Sequence, residues 1–209
     1  MSVSLVLGSL LSAILFTNSV QSEPTEKGLE IAIFAGGCFW CVEFDFDKVP
    51  GVVKTISGFS GGDFPNPTYK QVVTSNTGHR EVVQVTYDPK KVTYAHLVSV
   101  LFHSVDPTDG GGQFCDRGHS YTTAIYVTTP EQKRIAEEVK KKLQESKVLK
   151  APIVTPIKHA GPFFPAEEYH QDFYRKSPVR YKFYRFNCGR NARLQALWGK
   201  DALKGTPKH

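Results

Sequence analysis

The stretch Leu29-Glu30-Ile31-Ala32-Ile33-Phe34-Ala35-Gly36-Gly37-Cys38-Phe39-Trp40-Cys41-Val42-Glu43-Phe44-Asp45-Phe46-Asp47-Lys48 decides the architecture. Leu29 to Ala35 is apolar except for Glu30, the pattern of a buried central strand. Gly36 and Gly37 end that strand, and the spacing from Phe39 to Lys48 predicts a helix that stops before Pro50-Gly51. Cys38 therefore falls at a strand-to-helix turn. There a sulfur meets free backbone N–H groups and the positive end of the helix dipole, which favour thiolate over thiol. The two glycines let the backbone turn tightly and leave the sulfur approachable. Cys41 completes a Cys-x-x-Cys spacing of the thioredoxin-like kind, against the alternative of inert buried thiols. Phe39 and Trp40 add two large rings beside the nucleophile, either as a pocket for a methyl-sized apolar group or as core packing.

Outward from this turn, Val52 to Phe59 reads as a second strand, followed by a loop with Gly61, Gly62, Pro65 and Pro67, then a short helix from Tyr69 to Val73. Arg80 to Tyr87 alternates as a strand does, with Glu81, Val83, Val85 and Tyr87 on one face and Val82, Gln84 and Thr86 on the other. If the first face is buried, the Glu81 carboxyl is desolvated and titrates in the range of a general acid; otherwise it is a strand-end glutamate reaching solvent. Tyr94 to His103 has helical spacing. Asp106 to His119 is a polar, glycine-rich loop, longer than a connector needs and so a functional candidate. A strand from Tyr121 to Val127, an amphipathic helix from Glu131 to Leu149, a proline-interrupted strand from Ile153 to Ile157, an aromatic-rich helix from Glu167 to Arg175 and a closing helix at Leu194 to Trp198 complete the pattern. Strands and helices alternate throughout, as in a mixed α/β or α+β sandwich in one domain.

The chain has 209 residues, 40% hydrophobic and 22% charged, enough for one well-packed core. Residues 1–22 carry no Asp, Glu, Lys or Arg, and the apolar run Leu5 to Phe16 is too short to span a bilayer. They read as a secretory signal peptide ending near Ser22, followed by a linker over 23–30 and a catalytic domain over 31–209. An exported, periplasmic protein is expected. A retained membrane anchor is the alternative, because no Lys or Arg precedes the apolar run. The whole net charge of +6 lies beyond this segment. Much of it sits in Lys133 to Lys150, where Ile135, Val139 and Leu143 recur at helical spacing and Lys140, Lys141 and Lys142 fall opposite. This is a solvated helix face, and with no aromatic residues interleaved to stack bases, no nucleic-acid partner is expected.

Cys38, Cys41, Cys115 and Cys188 in an exported chain ordinarily mean two structural disulfides. Cys38 and Cys41 are too close to staple distant chain, however, and redox chemistry competes. A metal module from His103, Cys115 and His119 with Asp106 or Asp109 lacks paired Cys-x-x-Cys elements, and no metal or cofactor is expected.

Several separated motifs stand in order: Gly36-Gly37-Cys38-Phe39-Trp40, Gly58-Phe59-Ser60-Gly61-Gly62, Pro65-Asn66-Pro67-Thr68-Tyr69, Gly78-His79-Arg80-Glu81, Tyr87-Asp88-Pro89, Asp106-Pro107, Gln113-Phe114-Cys115-Asp116-Arg117-Gly118, Tyr121 and Tyr169-His170-Gln171. In this the chain resembles peptide methionine sulfoxide reductases of the A type, which act on the S epimer, from Ile31 to Cys188. The resemblance and the alternation together imply an α+β fold: a single-domain two-layer α/β sandwich on a mixed, mainly antiparallel sheet with a ferredoxin-like core. The resemblance further implies Cys38 as nucleophile, Glu81 as proton donor, Phe39 and Trp40 as the methyl pocket, and Tyr69, Asp116 and Tyr121 as polar groups around the sulfoxide oxygen. It implies a Cys38 sulfenic acid, a resolving cysteine, and a thioredoxin-like reductant acting on a monomer. Cys188 is the expected resolving residue by its place near the C-terminus, with Cys41 and Cys115 as alternatives; the chain lacks the glycine-rich tail with a further cysteine that some relatives carry. A plain thiol/disulfide oxidoreductase built on Cys38 and Cys41 is the rival reading.

Overall fold

A computed structural model describes residues 28–206, so the expected signal peptide and most of the linker lie outside the described residues. In chain order come β1 (Glu30–Ala35), α1 (Phe39–Phe46), β2 (Val52–Ser60), α2 (Tyr69–Thr74), β3 (Arg80–Tyr87) and α3 (Tyr94–Ser104). Next are the short strands β4 (Gly112–Gln113) and β5 (Asp116–Arg117), then β6 (Ala124–Val127), α4 (Pro130–Glu145), β7 (Ile157–His159) and β8 (Phe163–Pro165). Helices α5 (Phe173–Lys176), α6 (Pro178–Asn187) and α7 (Arg190–Trp198) end the series. The main sheet runs β7-β6-β1-β3-β2-β8. Its central four, β6-β1-β3-β2, are antiparallel neighbours joined by crossovers through α1 and α3, which is the ferredoxin-like core. Only β7 pairs in parallel, with β6, so the sheet is mixed and mainly antiparallel as expected.

One sheet face carries the larger core, in which Ala32, Phe34, Val83, Val85, Tyr87 and Ile125 pack against Val42 and Phe46 of α1 and Leu97, Val98 and Leu101 of α3. The opposite face is thinner, built on Ile33, Ala35, Val82, Ala124 and Tyr126. Both faces of β1 are thus covered, which explains its unbroken apolar run. Local signals start the helices. Thr68 caps α2 in a reciprocal capping box with Gln71, and Thr129 caps α4 ahead of Pro130.

Several boundaries differ from expectation, each for a physical reason. The α4 helix stops at Glu145 rather than Leu149, because Lys147 takes a left-handed φ of 56°. Tyr121 sits in a 3₁₀ turn, His119–Tyr121, whose end is held by Thr122 Oγ1 donating to the His119 carbonyl, and the strand begins only at Ala124. Pro152 and Pro156 remove N–H donors from the expected strand, leaving Ile157–His159 to pair. The segment Glu167 to Arg175 splits into a 3₁₀ turn and α5 at Asp172, whose φ is 52°. Sequence reading missed α6 because its outward face carries Val179, Phe183 and Phe186, which hides the usual polar-apolar contrast.

Candidate active site

The β1–α1 turn holds Cys38 as the N-cap of α1. Gly37 has φ 81°, and a Cβ there would come within 2.5 Å of the Gln113 side chain, so only glycine lets the β4–β5 hairpin seat against the turn. Glu81 lies opposite on β3. The face it shares with Val83, Val85 and Tyr87 is the buried one, and Glu81 is 1% exposed. Its Oε2 accepts the Phe39 N–H at 2.9 Å, which docks the carboxyl on the first turn of α1 beside Cys38. Burial pushes the Glu81 pKa up to about 8, and the nearby Asp116 charge pushes the same way, while the Phe39 N–H and the Tyr121 hydroxyl pull it back only in part. Glu81 is therefore a protonated acid at neutral pH.

Tyr69 opens α2, and the capping box at Thr68 together with Glu167 Oε1, which accepts the Tyr69 N–H at 3.0 Å, holds it in place. The Tyr121 hydroxyl hydrogen-bonds Tyr69 and Glu81. Burial raises both phenols above their ordinary range, so they stay protonated donors. Asp116 on β5 accepts a hydrogen bond from Tyr184 of α6, and burial raises its carboxyl too. Phe39 packs on Phe59, Tyr69 and His170, and Trp40 stacks on Phe173 with centroids 3.7 Å apart. Trp40 Nε1 donates to His170 Nδ1 at 3.0 Å, and burial lowers the His170 pKa to about 4, so the imidazole is neutral. Every residue named for the site from sequence except Cys115 and Cys188 thus converges on the β1–α1 turn.

The thiols depart from expectation. The first N–H of α1 is committed to Glu81, and burial is the main force on Cys38, joined by its hydrogen bond with Cys41 and by the charges of Cys41, Glu81 and Asp116. All of these raise the Cys38 pKa. Its partner Cys41 behaves in the opposite way. Burial opposes charge there as well, but the Cys38 hydrogen bond and the guanidinium groups of Arg190 and Arg185 outweigh it and bring Cys41 to about 7. The two sulfurs form a hydrogen-bonded pair whose negative charge rests on Cys41.

The source of that field is a buried ion cluster. Asp45, one helical turn beyond Cys41, is fully buried and faces Arg185 Nη2 at 3.0 Å and Arg190 Nη2 at 3.8 Å. Arg190 also donates to the Gly36 carbonyl at 3.2 Å and the Ser104 carbonyl at 2.8 Å, clamping the nucleophile turn from behind. Two cations against one carboxylate leave a net positive charge next to Cys41. Sequence reading missed this cluster along with Tyr184 and His170. The i, i+4 relation of Cys41 to Asp45 was the one available signal, since Arg185 and Arg190 lie in a helix that the pattern hid.

Cys188, the expected resolving residue with Cys41 and Cys115 as alternatives, is disulfide-bonded to Cys115 with Cα atoms 4.9 Å apart, and the thiol in contact with Cys38 is Cys41. Both disulfide sulfurs lie 3.8 Å from Asp116 oxygens. The metal reading is not assembled. His103 bonds Ser99 and stacks on Trp198, His119 contacts the Gly78 carbonyl, Asp109 pairs with Arg117, and Asp106 pairs with Arg193.

Residues 30–202 match the sequence model of the family described as peptide methionine sulfoxide reductase. The chain is 51% identical over 201 residues to a peptide methionine sulfoxide reductase of Rhizobium meliloti, covering 96% of this chain and 97% of that protein. It is 53% identical over 171 residues to one of Bacillus licheniformis, covering 82% and 94%. Among solved structures, methionine sulfoxide reductase A of Corynebacterium diphtheriae matches with a TM-score of 0.65 and 36% identity over 74% of this chain and 77% of that one. With its fold, its turn and its match across nearly the whole described chain, the protein belongs to the peptide methionine sulfoxide reductase family.

Proposed function

We propose that this protein reduces the S epimer of methionine sulfoxide, free and within oxidised proteins, to methionine, with Cys38 as nucleophile and Glu81 as acid. The observation that carries this reading is the protonated Glu81 carboxyl held beside Cys38 on the Phe39 N–H, with two phenols next to it. A sulfoxide sulfur is a poor electrophile until its oxygen is protonated or strongly hydrogen-bonded, and Glu81, Tyr69 and Tyr121 supply donors to that oxygen. Phe39 and Trp40 line the side that takes the methyl group. Asp116 orders the polar rim through Tyr184.

As Cys38 attacks the sulfoxide sulfur, its proton passes to the hydrogen-bonded Cys41 sulfur. The sulfoxide gains two electrons and leaves as methionine, and Cys38, oxidised by two, holds the oxygen as a sulfenic acid. Cys41, the nearest thiol, condenses with it, releasing water and forming a Cys38–Cys41 disulfide. A thioredoxin-like dithiol then restores the pair. The enzyme works as an exported monomer in repair of oxidised proteins; the uncharged N-terminal segment and the presence of every site residue in one chain support this. Among the described residues, no helix is long and apolar enough to cross a membrane.

The contact between Cys38 and Cys41 also favours a second reading, a plain thiol/disulfide oxidoreductase. Assays with the separated S and R epimers of free and peptide-bound methionine sulfoxide, driven by dithiothreitol, decide between them. The proposal expects consumption of the S epimer alone. Fast exchange with a model disulfide and no sulfoxide reduction would support the rival.

A further inference from the structure

The proposed reduction leaves one buried acid without a role, Glu43. It lies one turn of α1 beyond Trp40 and is 1% exposed. Its Oε2 accepts the Asp172 N–H at 3.0 Å, from a residue 129 positions away in sequence, and the buried Ser57 hydroxyl of β2 is beside it. Asp172 is the residue whose left-handed φ of 52° turns the chain from His170 into α5. Its neighbour Gln171 is fixed to the same strand: Oε1 accepts the Ser57 N–H at 2.9 Å and Nε2 donates to the Ser57 carbonyl at 2.8 Å. The residues on either side of this pair hold the methyl pocket. His170 accepts the Trp40 indole N–H, and Phe173 stacks on the Trp40 ring. Trp40 is thus gripped by its own helix and by His170 and Phe173, and Glu43 ties the two grips together.

The tie depends on charge. Asp47 approaches from the next turn of α1, α5 brings Asp172, Tyr174 and Arg175, and β2 brings the Ser57 and Thr55 hydroxyls. Arg175 is already paired with Asp47 at 3.4 Å and Asp172 at 3.2 Å, Tyr174 donates to Asp47 at 2.7 Å, His170 is neutral, and Arg180 of α6 lies over the Phe173 ring. Burial, and then the charges of Asp47 and Asp172, push the Glu43 pKa up to about 8, while the Asp172 N–H and the Ser57 hydroxyl pull it back only in part. Glu43 is therefore a neutral acid at pH 7. Above pH 8 it becomes a buried carboxylate beside two others, and moving the Asp172 segment outward to admit water relieves that cost.

We propose that Glu43 is a positioning residue for the reduction: in its neutral form it fastens the His170 to Phe173 segment to α1 and so holds Trp40 in the methyl pocket, and its ionisation releases that segment. This rests on the reductase reading above. Glu43 acts on substrate binding through Trp40 and touches none of the reacting atoms, whereas Glu81 acts on the chemical step.

The test pairs kinetics with Trp40 fluorescence. Glu43→Ala is expected to raise the KM for methionine S-sulfoxide at pH 7 about tenfold or more, as for a lost methyl contact, with kcat within about threefold because Cys38 and Glu81 are untouched. Glu43→Gln keeps an acceptor for the Asp172 N–H and cannot ionise, so its KM at pH 7 returns to within about threefold of wild type. From pH 7 to 9.5 the wild-type KM climbs about tenfold, and that of Glu43→Gln stays level. In a Trp198→Phe background Trp40 is the single tryptophan, and its emission moves to the red through pH 8 with Glu43 in place and stays fixed with Gln. An unchanged KM in Glu43→Ala, a loss in kcat alone, or a wild type and Glu43→Gln that climb and shift together would overturn the proposal. If Glu43→Ala does not fold, the pH series of Glu43→Gln decides by itself. No methionine from the wild type would overturn the reductase reading, while the emission shift, read without substrate, still decides whether Glu43 sets Trp40.

Discussion

Replacing Glu81 by Gln removes the acid while keeping a side chain that fits the same space. With a pKa of about 8, Glu81 is about nine-tenths protonated at pH 7 and about one-tenth at pH 9. Gln offers an amide N–H in place of a transferable proton, so the loss is that of general-acid catalysis, about 10²- to 10⁴-fold, or about 3–5 kcal/mol in the barrier. Single-turnover methionine formation measured by rapid quench from pH 6 to 10 isolates this step. The wild-type rate is expected to fall about tenfold per pH unit above pH 8, and the variant to run slow without that descending limb. Cys38 alkylation by iodoacetamide serves as the control and stays within about threefold, because its sulfur is not removed. A variant within threefold of wild type, or one retaining the limb, would refute the assignment of the acid.

The same carboxyl predicts a stability effect. Its folded pKa of about 8 lies above its ordinary 4.5, so the native state holds the proton more tightly and loses stability as pH rises between those values, by up to about 5 kcal/mol. Glu81→Gln is expected to flatten that decline in urea unfolding at pH 5 and pH 9; parallel curves would contradict it. Arg190→Met leaves the Gly36 and Ser104 carbonyls without their donor and Asp45 with Arg185 still facing it, which costs about 1–3 kcal/mol, and the Cys41 titration moves up from about 7 in thiolate absorbance. An unmoved titration would mean that Arg190 does not set the charge on the pair. Cys41→Ser is expected to leave a Cys38 sulfenic acid that dimedone traps after one turnover, while rapid condensation with another thiol would show that Cys41 is not the resolving residue. Thr68→Ala breaks the capping box of α2 for about 1 kcal/mol and slows single turnover by loosening Tyr69. A rate equal to wild type would detach Tyr69 from the chemistry.

The strand-turn-helix at Leu29 to Lys48 was legible because two periodicities meet at two glycines, and the alternation in β3 picked out the face that Glu81 shares. What stayed hidden depends on contacts distant in sequence. The thiolate expected at the start of α1 is disfavoured because burial raises the Cys38 thiol, helped by the Cys41 hydrogen bond and by the charges of Cys41, Glu81 and Asp116, the last two brought in from strands distant in sequence. The charge moves to Cys41 because Arg185 and Arg190 reach α1 from α6 and α7, where exposed Phe183 and Phe186 blur the helical pattern. Pairing among four cysteines cannot be read from spacing, and the Cys115–Cys188 bond was open until the hairpin brought Cys115 to the end of α6.

The central claim, that Cys38 attacks an S-sulfoxide activated by Glu81, is tested most directly by one turnover followed by mass mapping of the cysteines. With the S epimer and no reductant, C115S/C188S is expected to yield one oxidised Cys38, bonded to Cys41, for each methionine formed. Nothing is expected with the R epimer, or from Cys38→Ser. Equal consumption of both epimers, or methionine formed while Cys38 remains a free thiol, would contradict it.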